Sequence, residues 1–144
     1  MRIDGKWLPC DDDVVRPLIS GEILAANGSW EWIEFLVDTG ADRTVFSAAT
    51  LAKLGLQPLT TQDTVSGLGG VAESVVVETQ VRLTRETGST ALFRGQYAAV
   101  TQLDAVDIDV LGCDITGLWI VIVDHPGGVV CLFGQRHRYS IEHD

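Results

Sequence analysis

Cysteine is scarce in this sequence of 144 residues, and what there is does not pair. Cys10, Cys113 and Cys131 are odd in number and widely spaced, with no Cys-x-x-Cys. A disulfide framework is therefore not expected, and a reducing cytoplasm is the default compartment. Basic residues are also few. Ten Lys and Arg stand against twenty Asp and Glu, a formal charge of −10. A nucleic-acid grip needs clustered cations to neutralise phosphates, so nucleic acid is not an expected partner. An anionic membrane surface is disfavoured for the same reason. No apolar run reaches the length of a membrane span; "CDITGLWIVIVDH" comes closest and is too short. Met1-Arg2-Ile3-Asp4-Gly5-Lys6 lacks the apolar core of a signal peptide. His125, His137 and His143 lack metal-ligand spacing and read as solvent-exposed.

What is abundant points to β structure. Apolar residues make up 46% of the chain, fifteen residues are glycine, and Val, Thr and Ile are common. Residues 1–13, with the acidic run Asp11-Asp12-Asp13, read as a solvated arm or linker. Residues 14–134 read as one domain and 135–144 as a polar tail. Asn27-Gly28 between two apolar runs is a strong hairpin signal, because both residues tolerate positive φ. Val75, Val77, Thr79, Val81 and Leu83 alternate with Val76, Glu78, Gln80 and Arg82, the period of a half-buried strand. Glu86-Thr87-Gly88 reads as the turn into the next strand. Ser47 caps and Gly55 ends a short expected helix. A last hairpin turns at Pro126-Gly127-Gly128. About eight strands and one or two short helices suggest a mainly β, closed barrel-like or sandwiched fold.

The segment Phe35-Leu36-Val37-Asp38-Thr39-Gly40-Ala41-Asp42 carries the chemistry. An apolar strand runs straight into a carboxylate. Two carboxylates about 3 Å apart repel by roughly 5 kcal/mol at an effective dielectric near 20, so such a pair keeps one proton. One member is then a base and the other an acid, which is what amide hydrolysis by water requires. Gly40 allows a sharp turn that brings N–H groups towards Asp38. Thr39 can tie the loop to a neighbour, and Ala41 leaves room for close approach.

Phe35 to Ser47 resembles the active-site segment of retropepsin-like aspartic proteases. Gly67-Leu68-Gly69-Gly70 stands where that family has its glycine-tipped flap. Asp109-Val110-Leu111-Gly112-Cys113-Asp114 resembles the segment threaded beside the active-site loop, in the Leu-Gly-x-Asp form of cellular and bacterial relatives. The resemblance spans roughly residues 14–133. It implies an acid-protease fold, no metal or other cofactor, and a site shared by two chains, because only one Asp-Thr-Gly is present. Asp38 from each copy would be catalytic in a homodimer, hydrolysing peptide bonds. Thr39 would lock the two loops together, and Gly40 and Ala41 would line the active-site loop. Asp42, Gly67, Leu68, Gly69 and Gly70 would contact or cover the peptide, and Leu111 and Gly112 would support the loop. Cys113 stands where many viral members carry an Arg that pairs with the second Asp, so an ion pair of Asp42 does not follow.

Other features read more plainly. Gly67-x-Gly-x-x-Ala72 also satisfies a dinucleotide pattern, but a strand rather than a helix follows it. Asp114 reads as a helix cap, Cys113 as buried packing, and Trp30 and Trp32 as a shared strand face in a core or interface. The rival function is a peptide-binding or dimerisation module that keeps the fold without cleaving.

Overall fold

The computed structural model describes residues 1–59, 62–67, 70–103, 107–134, 140 and 142. Their strands are β1 (Arg2–Asp4), β2 (Lys6–Pro9), β3 (Val15–Leu24), β4 (Trp30–Val37), β5 (Val45–Phe46), β6 (Gln62–Gly67), β7 (Gly70–Thr84), β8 (Thr90–Val100), β9 (Asp109–Leu111), β10 (Ile120–Asp124) and β11 (Val129–Phe133). Two short helices interrupt them, α1 (Ala48–Leu54) and α2 (Cys113–Thr116).

The large sheet runs β2-β3-β4-β9-β5-β8-β7-β6, and a further pairing of β3 with β7 closes it on itself. Gly21 makes that seam possible. A Cβ there would stand 2.7 Å from Leu83 Cδ2 and 3.0 Å from the Arg82 carbonyl oxygen. Next along the seam, Glu22 faces Arg82 and accepts from its Nε and Nη2 at 2.7 and 3.0 Å. The Arg82 guanidinium also lies 4.1 Å over the Trp30 ring. Strands β3, β4, β9, β5, β8 and β7 thus form a closed ring, the barrel-like form expected from the strand pattern, with β2 and β6 left as edge strands beside it.

The local signals act as expected. The β3–β4 hairpin turns at Asn27-Gly28, although only Gly28 takes a positive φ, 85°; Asn27 serves the turn through its Oδ1, which accepts from the Ser29 N–H. The β7–β8 hairpin turns at Thr87-Gly88, with Gly88 also at φ 85°. Val77, Val81 and Leu83 are fully buried on the inner face of β7. Ser47 caps α1 by accepting from the Thr50 N–H, and Gly55 ends it at φ 62°. The last hairpin, β10–β11, turns through residues 125–128.

Residues 1–13 depart from the expected arm. β1 pairs with β11, Ile3 opposite Leu132, and β2 pairs with β3, Trp7 opposite Pro17. Ile3 is 1% exposed within the main core, and Trp7 Nε1 donates to the carbonyls of Asp124 and Val129. Burial of these two side chains draws the segment into the sheets. Asp11 to Asp13 remain exposed, with Asp12 tied to Arg16. Trp30 and Trp32 share the outer face of β4; Trp32 is 58% exposed, so that face is not core. His125 is exposed and stacks on Trp7. His137 and His143 lie outside the described residues. Among the described residues, no helix is long and apolar enough to cross a membrane.

Candidate active site

β4 delivers Asp38. Phe35 and Val37 are buried, and the strand pairs in parallel with β9, Val37 opposite Leu111. The chain leaves the sheet at Asp38, whose N–H donates to the Leu111 carbonyl at 3.3 Å. Asp38 is half-buried, and Thr39 and Gly40 beside it are exposed. The carboxylate is held by its own loop: the Gly40 N–H donates to Asp38 Oδ1 at 2.9 Å. The Ala41 N–H donates to the Asp38 carbonyl at 3.2 Å, completing the turn.

Gly40 serves this turn by leaving space. Its φ is not positive, but a Cβ would lie 3.3 Å from Asp38 Oδ1. Among the described residues, no hydrogen bond or ion pair joins Asp38 to a second carboxylate. Glu86-Thr87-Gly88, the nearest imitation of the motif, is a hairpin turn whose Glu86 carboxylate meets the Arg2 N–H.

β9 and α2 form the bed on which the loop lies. Leu111 is fully buried. Gly112 passes so close that a Cβ would sit 2.2 Å from the Arg43 carbonyl carbon and 2.7 Å from the Thr44 nitrogen. Only glycine fits there. The Cys113 N–H donates to the Ala41 carbonyl at 2.7 Å, and the Asp114 N–H to the Asp42 carbonyl at 3.2 Å. Asp42 itself is exposed.

Two expectations change here. Cys113 is exposed rather than buried, and its Sγ lies 3.4 Å from the Thr39 carbonyl oxygen. Packing against the loop backbone, not a hydrophobic pocket, accounts for its position. Asp114 does not cap its helix; Gly112 is the N-cap residue and makes no side-chain cap bond. The Asp114 carboxylate instead reaches Thr44, which is fully buried and needs partners for both of its donors.

Gly67 and Gly70 are the last registered pair of the β6–β7 hairpin. Leu68 and Gly69 lie outside the described residues. Beyond Gly70 the chain continues as strand, which leaves no helix for a dinucleotide site.

Asp109 is a structural carboxylate that the motif reading left aside. It is buried, and it accepts from the Ser47 N–H at 2.8 Å and the Thr50 hydroxyl at 2.9 Å. Burial pushes its carboxyl above the ordinary range, although both hydrogen bonds and Lys53 oppose the shift. The available signal was a charged residue inside the apolar stretch Ile108 to Leu111.

The sequence matches the family model described as aspartyl protease over residues 21–119, well over half its length. The chain belongs to that family. The match contains the Asp38 loop and the Leu111-Gly112 segment. Among solved structures, a retropepsin-like aspartic protease from Rickettsia conorii is similar at a TM-score of 0.57 and 18% identity, covering 92% of this chain and 90% of its own. The EIAV protease in complex with an inhibitor is similar at a TM-score of 0.51 and 23% identity, covering 71% of this chain and 86% of its own. The fold is thus retropepsin-like. No curated protein matches the sequence.

Proposed function

We propose that this protein is an aspartic endopeptidase that works as a homodimer, each chain supplying Asp38. One observation carries the reading. The sole Asp-Thr-Gly places a half-buried carboxylate, held by its own Gly40 amide, beside an exposed Thr39-Gly40 edge. A second copy meeting that edge brings two carboxylates together. The single shared proton of such a pair is the family's known behaviour. The ionised Asp38 takes a proton from water as the water attacks the peptide carbonyl. The protonated Asp38 gives its proton to the carbonyl oxygen. Collapse of the tetrahedral species then transfers a proton to the leaving nitrogen. No bond forms between enzyme and substrate.

In this reading Thr39 joins the two loops, Gly40 and Ala41 border the peptide, and Asp42 contacts its main chain. The hairpin residues 67–70 close over the peptide and exclude water, and Leu111 and Gly112 support the loop. The substrate is an extended peptide with apolar side chains around the cut. The catalytic unit extends over 1–134 rather than 14–134, since β1 and β2 are built into the sheets. Free thiols at Cys10, Cys113 and Cys131 support a cytoplasmic setting.

The test is cleavage of an unstructured peptide library at mildly acidic pH by wild type and Asp38→Asn. Wild type cuts and the variant does not. If the two behave alike, the protein is a binding or dimerisation module instead.

A further inference from the structure

We infer that Asp114 is a positioning residue, whose grip on Thr44 fixes the far end of the Asp38 loop and thereby the placement of Asp38. The inference rests on the peptidase reading for its functional consequence and on the hydrogen bonds alone for its geometry.

Consider where the backbone groups of residues 38–44 find partners. Two bonds are internal, from the Gly40 and Ala41 N–H groups to Asp38. The others described go to residues 111–114. Leu111 accepts from Asp38, Cys113 donates to Ala41, and Asp114 donates to Asp42. These are main-chain contacts that most side chains would permit.

The side-chain contribution comes from Asp114. Both of its carboxylate oxygens lie 2.9 Å from the Thr44 nitrogen, and Oδ1 also accepts from the Thr44 hydroxyl at 2.7 Å. The hydroxyl oxygen in turn accepts from the Gly112 N–H at 3.1 Å. The circuit therefore runs from α2 to the loop and back to the residue before α2. A carboxylate suits it because it only accepts, and the charge strengthens each bond. Through its own N–H, Asp114 also holds the carbonyl of Asp42. One residue thus pins the chain on both sides of Arg43. Two and three residues before Arg43, the Ala41 and Gly40 amides fasten Asp38, so slack at Thr44 reaches the motif within a few residues. The circuit supplies this restraint without the Arg that Cys113 replaces.

The test measures kcat and KM for a peptide that wild type cuts, using Asp114→Ala, Asp114→Asn, Thr44→Val and the Asp114→Ala/Thr44→Val double variant. Denaturation midpoints are taken in parallel, and kinetics are run where each variant is folded. Asp114→Ala lowers kcat by about 100-fold, the scale of a small misplacement of a reacting group, with KM changing far less. Asp114→Asn, which keeps one acceptor for the Thr44 N–H, recovers most of kcat. The double variant is no worse than Asp114→Ala, because the two side chains act as one unit. An unchanged kcat in Asp114→Ala, or additive losses, overturns the inference. Should wild type cut nothing, the peptidase reading fails, and amide hydrogen exchange decides the geometry by itself. Faster exchange at Gly40 and Ala41 in Asp114→Ala than in wild type supports the clamp, and equal exchange overturns it.

Discussion

Asp109 and Asp114 stand five positions apart in the chain; the first is buried, and the second, exposed in the first turn of α2, gives its carboxylate to Thr44 rather than to a cap. Asp109 is buried under α1 and holds its proton more tightly in the fold than in the unfolded chain. Its contribution to stability is therefore fully present below the unfolded carboxyl value, about 3.9, and is lost as pH rises through the higher native value. Asp109→Asn stays neutral throughout. The stability of wild type relative to this variant should fall as pH rises, measured by urea unfolding at intervals from about pH 3 to 7. A relative stability that climbs with pH would contradict burial as the dominant influence. At this scale the motif itself was legible, because an apolar strand ending in Asp-Thr-Gly-Ala states its own geometry. The partners of Asp114 and Cys113 were not. Their directions depend on how closely Gly112 passes Arg43 and Thr44, a contact between residues almost 70 positions apart in the chain that spacing within one segment cannot reveal.

Elements with a strong local cause were readable from the sequence. Gly28 and Gly88 adopt the positive φ that their turns demand, and α1 begins and ends at its Ser47 and Gly55 caps. The two N-terminal strands were not readable. β1 and β2 are three and four residues long, too short to show a strand period, and β1 is defined by its partner β11 at the other end of the chain. Ile3→Ala tests how firmly that strand belongs to the fold. Truncating a side chain so fully buried should cost about 2–5 kcal/mol in chemical denaturation. A residue in a true linker would shift stability by no more than about 0.5 kcal/mol.

At the scale of the whole molecule, closure of the large sheet depends on β3, which pairs with β2, β4 and β7. No run of residues announces a strand with three partners. The sign is a single Gly21, whose missing side chain lets β7 cross the seam. The fold so closed presents one Asp38, with Thr39 and Gly40 exposed next to it. If half of the machinery resides in each chain, turnover follows the census of molecules. Below the dissociation constant of the pair, total activity rises as the square of protein concentration, and diluting the sample silences it faster than proportion. A dilution series of initial rates reads this directly, and strict proportionality down to complete monomer would mean that each chain acts alone. A peptidase assembled in this way stays quiet when sparse and wakes only in company.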